Sequence, residues 1–327
     1  MYNFWRQGAV GSLLCLGLSG NVFGQVNSSA TLSGTVTDKS QGAVPGARVL
    51  VSSKETGLER ATVTNSNGTY QLDLLPAGHY EVRISMPGFA TAAFENVELA
   101  VDRTTDIDGS LSPSKQSETI TVESSGAGLV DLQRTDISRA ITPAEVETLP
   151  LNGRDFVNLA ILAPGARPVP SYDPTKARIG LFATNGSSGR NVNVTINGVD
   201  NKDNTVGGPV MQLPLEAIQE FNISTQRFSA ANGRSEGAAV NVITKAGTNY
   251  VHGSLFFFDR ESAFNALNYF EKTQNGGTGN KAAFSRQQFG GSVGAPIKKD
   301  KTFIFFALER AREQTSLNVN GSLSRFL

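Results

Sequence analysis

Short runs of alternating apolar and polar residues follow one another from Thr31 to about Ser112. Each run has an apolar side chain at every second position, the pattern of a strand with one face in a core. The apolar positions, run by run, are Leu32, Gly34 and Val36; Val49 and Val51; Ala61 and Val63; Tyr70, Leu72 and Leu74; and Tyr80, Val82 and Ile84. Turn sequences such as Asn65-Ser66-Asn67-Gly68 separate the runs. The spacing predicts a β-sandwich of about six or seven strands over residues 30–112.

The next region, residues 113–128, is rich in Ser, Lys, Gln and Gly and carries one alternating segment. That segment consists of Glu118, Thr119, Ile120, Thr121 and Val122. We interpret the region as a linker that carries a short exposed strand. The same residues also allow the segment to be the last strand of the sandwich.

Helical and strand signals are mixed between residues 129 and 248. The run Thr142-Pro143-Ala144-Glu145 supplies an N-cap, a proline at the first helical position and a glutamate three residues after the cap, so it predicts a short helix. Phe156 to Leu162 predicts a second helical stretch, and a brief helix follows Pro214. Short strands such as Val192 to Ile196 alternate with Gly-rich turns. The mixture predicts a compact α+β unit.

After Asn249 the alternation includes many aromatic residues, in strands of about ten residues with apolar side chains on one face, as in outer-membrane barrels. In the first strand Val251, Leu255 and Phe257 share one face and His252, Ser254 and Arg260 the other, whereas Phe256 and Phe258 break the pattern. In the second, Phe289, Gly291, Val293 and Ala295 alternate with Gln288, Gly290, Ser292 and Gly294. Residues 261–285 form a long polar connection and Ile297 to Lys301 a short one, so the first strand is predicted to run outward and the second back.

The 78 residues after Asn249 suffice for about three or four strands, far from a closed barrel. An open sheet cannot lie in lipid, because its edge groups would lack hydrogen-bond partners. The sequence is therefore interpreted as the front of a longer protein.

The N-terminus has the pattern of a cleaved export signal over residues 1–24. Arg6 precedes an apolar stretch from Ala9 to Leu18, and Gly24 is the small residue before the predicted cleavage. Cys15, the one cysteine, lies inside this segment. The predicted mature chain then has no thiol for disulfides, Cys-based zinc sites or nucleophilic catalysis.

Composition and motif context argue against nucleic-acid binding and catalysis. Lys plus Arg and Asp plus Glu are 29 each, so there is no basic excess for nucleic acid. His79 and His252 are the two histidines, too few for a metal triad. Gly290-Gly291-Ser292-Val293-Gly294 matches a hydrolase elbow formally, but it lies in an alternating strand instead of a strand-to-helix turn. No enzymatic activity, cofactor or metal is predicted.

Oxygen side chains gather at Asn197, Asp200, Asp203 and Asn204 and could suggest a calcium loop. The spacing lacks the distal glutamate of a full calcium loop. A turn after a strand is the preferred interpretation, because Asn and Asp bond their own backbone in turns.

Several motifs in a fixed order resemble TonB-dependent outer-membrane receptors, and the N-terminal part resembles the carboxypeptidase regulatory-like domain. The receptor motifs are Leu149 to Phe156, Ile196 to Asn201, Glu216 to Phe221, Gly237 to Asn249 and Phe289 to Pro296. The sandwich motifs are Gly34 to Asp38, Val44 to Ala47, Gly68 to Tyr70 and Leu75 to Tyr80. The resemblance implies a mainly β chain: an N-terminal β-sandwich, a small α+β plug over residues 129–248, and the first strands of an antiparallel transmembrane β-barrel over residues 249–327.

The resemblance also implies function, partners and sites. Such a receptor lies in the outer membrane, in contact with its lipid, binds an extracellular ligand and moves it into the periplasm with energy from TonB. Glu118 to Val122 fall where the family carries its TonB-binding box, and Asn197, Gly198, Val199, Asp200 and Gly237 fall in the plug motif. The ligand class, whether sugar, peptide or iron chelate, stays open. The alternative is a secreted or surface carbohydrate-binding or adhesion protein without transport.

Overall fold

The computed structural model describes residues 29–113, 119–123, 137–149, 151–169, 181–205, 207–228, 233, 235–267, 272, 281 and 283–315. The predicted export signal lies outside these residues. Strands dominate the described chain, which forms a sandwich, a small mixed unit and a three-stranded sheet in chain order. This architecture confirms the predicted fold class.

The sandwich packs two sheets around one core. Its strands are β1 Ser29–Asp38, β2 Arg48–Ser52, β3 Glu59–Val63, β4 Thr69–Pro76, β5 Gly78–Ser85, β6 Thr91–Leu99, β7 Thr104–Asp106, β8 Gly109–Leu111 and β9 Thr119–Glu123. One sheet has the order β4-β1-β7, with β8 also paired to β1, and the other has the order β3-β2-β5-β6-β9. Leu32, Val49, Leu75 and Ile84 are fully buried between them, as the alternating pattern requires.

Three predicted core positions of the sandwich are wrong: Leu74 on β4, and Ala61 and Val63 on the edge strand β3. Leu74 is exposed and Leu75 is buried instead, because the register of β1 and β4 shifts there and Leu74 has a positive φ of 60°. An irregularity of this kind moves the following residue to the opposite face. Ala61 and Val63 are also exposed, since β3 is the edge strand of its sheet and leaves these residues uncovered.

The mixed unit is built on a five-stranded sheet with the order β10-β15-β16-β13-β14. Its elements are β10 Ile137–Ile141, α1 Pro143–Thr148, 3₁₀ turns at Asn152–Arg154, Phe156–Leu162 and Leu215–Ala217, β11 Ala166–Val169, β12 Leu181–Thr184, β13 Asn193–Ile196, β14 Val199–Asp200, β15 Ile218–Gln226 and β16 Ala239–Thr244. Phe156, Leu159 and Phe221 are buried in the core between the helical turns and this sheet.

The helix predicted from Thr142 is present with its capping box. The Thr142 hydroxyl accepts the Glu145 amide (3.4 Å), and the Glu145 carboxylate accepts the Thr142 amide (3.0 Å). The stretch from Phe156 to Leu162 is helical as predicted, in the tighter 3₁₀ form, and so is the short turn after Pro214.

The last described strands form an antiparallel meander: β17 His252–Glu261, β18 Phe284–Lys298 and β19 Thr302–Thr315, with a short 3₁₀ turn at Ser262–Phe264. On one face Leu255, Phe257, Val293, Phe306 and Leu308 are exposed. The opposite face, with Gln288 buried, lies against the mixed unit. The predicted apolar-out, polar-in arrangement of these strands is confirmed.

Candidate functional site

The turn that presents Arg154 comes from the motif Leu149 to Phe156. Gly153 and Arg154 both have positive φ, 75° and 57°, in the 3₁₀ turn at Asn152–Arg154. Glycine adopts this backbone freely, whereas Arg154 adopts it at a cost in strain. Gln288 on β18 donates its side-chain amide to the Gly153 carbonyl oxygen (3.1 Å). The turn therefore rests on the inner face of the meander and directs Arg154 into it.

Five side chains form what we call the Arg154 cluster: Arg154, Glu216, Phe256, Phe258 and Glu309. The Arg154 guanidinium donates to Glu216 (2.5 Å) and lies 3.5 Å from a carboxylate oxygen of Glu309. It also covers the rings of Phe256 and Phe258, with centroid distances of 4.2 and 5.0 Å. The three charged side chains are only 15–16% exposed. The cluster joins two motifs of the mixed unit to the membrane strands by buried ion pairs and cation–π contacts.

This cluster explains why Phe256 and Phe258 break the alternation of the first barrel strand. Both rings lie under the Arg154 guanidinium, on the face of the strand opposite to the outer apolar surface. In register, Phe256 lies opposite Gly290, and Gly290 lies opposite Glu309. A Cβ at Gly290 would meet first the Leu308 carbonyl oxygen of β19 and then the Phe256 ring at 2.9 Å, so glycine leaves room for the neighbouring strand as well as for the cluster.

A cavity of about 750 Å³ adjoins the cluster between α1 and the inner face of the meander. Its lining includes Glu147, Arg154, Asp259, Arg260 and Arg286. Arg286 donates to Glu313 (2.7 Å), so part of this charge is already paired within the strands. The lining mixes these charged side chains with apolar ones such as Leu149 and Leu215, whereas the outer face of the same strands is mainly apolar.

The plug motif at Asn197 and Gly198 forms the tight turn between β13 and β14. Their φ angles of 50° and 80° are those of a two-residue hairpin turn, for which Asn-Gly is the favoured sequence. The Asn197 side chain accepts the Thr244 amide (3.0 Å) and donates to the Thr244 hydroxyl (2.9 Å). Asn241 accepts the Gly198 amide (3.3 Å). The structure thus brings this turn together with the motif from Gly237 to Asn249.

The remaining plug-motif residues have local backbone roles. A Cβ at Gly237 would meet the hydroxyls of Ser187 and Thr184 at 2.7 and 2.8 Å, so any other residue there would require these two side chains to shift. Asp200 accepts the Lys202 amide (3.0 Å), a turn bond of the kind predicted for this loop. Val199 is exposed on β14. In the described part of the chain, no group of three or more His, Cys, Asp or Glu side chains could hold a metal ion.

The candidate coupling strand is β9, residues 119–123, and Glu118 lies outside the described residues. β9 pairs in parallel with β6, from Thr91 opposite Thr119 to Glu95 opposite Glu123. It is the terminal strand of its sheet. The segment is therefore paired as a last sandwich strand, the alternative that its sequence had also allowed.

A buried junction links the sandwich to the mixed unit at Glu220, which the sequence analysis had quoted only as part of a motif. The Glu220 carboxylate on β15 accepts the Val101 amide (3.0 Å), and Asn222 donates to the Val101 carbonyl oxygen (3.4 Å). Burial raises the pKa of Glu220 to about 7, although the Val101 hydrogen bond and the charge of Arg103 act to lower it. The carboxyl group therefore titrates near neutral pH.

Aromatic side chains of the sandwich and Ser292 of the hydrolase-like motif all lie within regular structure. Tyr70 and Tyr80, predicted as core positions of the sandwich, are buried. Ser292 lies inside the continuous strand β18, and its hydroxyl contacts that of Ser254 (3.0 Å). No helix in the described ranges has the length and apolar content needed to cross a membrane.

Two family descriptions match parts of the chain: "Carboxypeptidase regulatory-like domain" over residues 31–112 and "Outer membrane beta barrel domain" over residues 243–324. The TonB-dependent transporter Oar of Myxococcus xanthus is 27% identical over 308 residues, which are 90% of this chain and 28% of that protein. The chain thus spans little more than a quarter of this relative.

Solved structures with partial similarity include an outer membrane transporter and a siderophore receptor. The outer membrane transporter YddB from Escherichia coli has a TM-score of 0.45 and 14% identity, over 54% of this chain and 26% of that chain. The siderophore receptor PirA from Acinetobacter baumannii has a TM-score of 0.39 and 20% identity, over 58% of this chain and 26% of that chain. The sequence match to Oar and the two family descriptions place the protein in the outer membrane and confirm its resemblance to an Oar-like TonB-dependent receptor with an N-terminal carboxypeptidase regulatory-like domain.

Proposed function

We propose that this chain is part of a TonB-dependent receptor that binds an extracellular ligand and transports it into the periplasm with energy relayed by TonB. The observation that carries the proposal is the Arg154 cluster. It fixes a plug-like unit to the inner face of strands whose outer face is apolar.

The two faces of the meander require different surroundings. Leu255 is 93% exposed and Phe306 58% exposed on the outer face, which suits contact with lipid. The inner face buries charges and aromatic rings against the mixed unit. A plug inside a membrane barrel meets both conditions at once. Plug movement under tension would then open a route for the ligand.

The proposal assigns TonB binding to residues 118–122. An extended segment can add to the sheet edge of a partner through backbone hydrogen bonds, with modest demands on side chains. The position of this segment ahead of the plug lets tension on it reach the plug along the chain. The plug-motif residues Asn197, Gly198, Val199, Asp200 and Gly237 are proposed to shape the plug without touching the ligand.

Ile120→Pro tests the assignment, because proline removes one backbone donor from the strand. We expect the receptor that contains this chain, purified in detergent, to lose most of its affinity for the periplasmic domain of TonB. Ile120→Ala is the matched control and should bind nearly as the unchanged receptor does, because it keeps the backbone intact. Isothermal titration with the TonB domain gives both affinities.

Equal binding by the proline and alanine variants would refute this assignment of the box. Absence of TonB binding by the unchanged receptor, together with retention of the protein on immobilised glycans, would favour the secreted carbohydrate-binding alternative.

A further inference from the structure

The edge of the sandwich already holds the segment to which TonB binding is assigned. β9 pairs with β6 over five residue pairs, and β6 is paired on its other side with β5. One edge of β9 is thus used within the chain. A partner that adds a strand needs backbone groups of the same segment.

We propose that the sandwich stores the coupling strand: β9 lies on β6 until TonB takes it, so β6 and TonB compete for one segment. This inference rests on the proposed function of residues 118–122. It gives the sandwich a regulatory role: by pairing with β9 it keeps residues 118–122 from binding TonB. The sandwich needs no ligand for this role.

The attachments of the sandwich are the reason why we expect β9 to leave β6 instead of accepting TonB on the edge that no other described strand occupies. Val101 of the sandwich is bonded to Glu220 and Asn222 of the plug-like unit. Near the first barrel strand, the Asn249 amide donates to the Glu55 carbonyl oxygen of the sandwich (2.7 Å). While β9 stays on β6, a pull on it passes through these attachments back into the plug and barrel. Tension reaches the chain between β9 and the plug only after β9 separates.

The pairing of β9 is weak enough to be reversed. Five parallel pairs supply few hydrogen bonds, and parallel pairing is slightly less stable than antiparallel pairing.

A reversible cross-link tests the competition. Ala93 lies opposite Thr121 in the middle of the pair, and the one native cysteine, Cys15, lies in the predicted signal. The double variant Ala93→Cys/Thr121→Cys can therefore be oxidised to fix β9 on β6 without competing thiols from residues 25–327, and any cysteine of the receptor beyond them is replaced by serine. We expect the oxidised receptor to bind the TonB periplasmic domain at least about tenfold more weakly than its reduced form. The reduced form should bind as the unchanged receptor does.

A second cross-link in the same sheet is the matched control. Arg48 lies opposite Val63 in β2 and β3, away from β9, so Arg48→Cys/Val63→Cys should leave TonB binding unchanged when oxidised. Failure of the disulfide between β6 and β9 to form would show that β9 does not rest on β6 and would overturn the storage. Undiminished TonB binding by the cross-linked receptor would overturn the competition. Loss of binding already in the unchanged receptor would instead refute the proposed function, while the disulfide yield still reports the strand pairing.

Discussion

Arg154 brings a permanent positive charge into a space where its side chain is 15% exposed. Such a charge is tolerated because two carboxylates and two aromatic faces surround it. Removing it would leave Glu216 and Glu309 close together and without their cation. The free-energy cost of burying two carboxylates without their cation exceeds the net stabilisation that the ion pairs themselves provide.

Arg154→Met should therefore detach the plug-like unit from the meander. We expect a loss of roughly 3 kcal/mol or more in the stability of the contact. The measurement is the rate of limited proteolysis within residues 137–249 of the folded receptor, which should rise in the variant.

Two further variants make this test specific. Arg167→Met changes an exposed arginine of the same unit and should leave the proteolysis rate unchanged. Adding Glu309→Gln to Arg154→Met should recover part of the loss, because one of the two stranded charges is removed. If Arg154→Met and Arg167→Met behaved alike, the cluster would not hold the plug.

Glu220 makes the junction between the sandwich and the mixed unit sensitive to pH. Its pKa is raised from 4.5 to about 7, mainly by burial. The folded state therefore keeps the proton over a range in which the unfolded state has lost it. The contribution of Glu220 to the free energy of unfolding is therefore largest below about pH 4.5, falls as the pH rises to about 7, and is constant above that. The full penalty is on the order of 3 kcal/mol.

Glu220→Gln should remove this dependence, because the amide stays neutral. We expect it to raise the thermal unfolding midpoint at about pH 8 and to change it little at about pH 5. Glu59→Gln, at an exposed position of the sandwich, is the control and should shift neither midpoint. A stabilisation by Glu220→Gln of the same size at both pH values would contradict a titrating carboxyl group as the cause.

At the scale of elements, alternation and capping predicted most of the secondary structure. The helix from Thr142 and the strands around Val49 and Val293 follow from local pattern, because each pattern is read within one element. Leu74 could not be placed correctly, since a register shift depends on the partner strand β1. The exposure of Val63 depends on its strand lying at a sheet edge, which the sequence does not specify.

The residues of the Arg154 cluster could be identified from the sequence only in part, and their contact with one another could not be predicted. The motifs of Arg154 and Glu216 were both visible in the sequence, but their contact joins residues 62 positions apart. The irregular Phe256 and Phe258 were the local sign that an inward-facing partner exists. The identity of that partner required the fold. The pairing of β9 with β6 is the same kind of case, because the segment's sequence suited either a free strand or a sandwich strand.

At the scale of the whole molecule, the sandwich is attached at two separate places. One is the buried junction at Glu220 on the plug-like unit. The other joins the sandwich loop at Glu55 to Asn249 and to the turn between β18 and β19, where Asn249 donates to Asp300 (2.7 Å). Two attachments to different units restrict the sandwich more than a flexible tether would. The storage of β9 depends on this restriction.

The second attachment can be tested with Gly57→Ala. A methyl group at Gly57 would overlap Asp300, including its Cβ at 2.8 Å. Turning the Asp300 side chain away would break its bond to Asn249. Either response should separate the loop from the turn, so hydrogen exchange should become faster at the Asn249 amide, which donates to Glu55.

Gly46→Ala is the matched control, because Gly46 also has a positive φ, 75°, but open space around it. It should add similar backbone strain, about 1 kcal/mol, and leave exchange at Asn249 unchanged. Equal exchange in the two variants would mean that the loop contact does not hold the sandwich, and tension on β9 would then be free to drag the sandwich along.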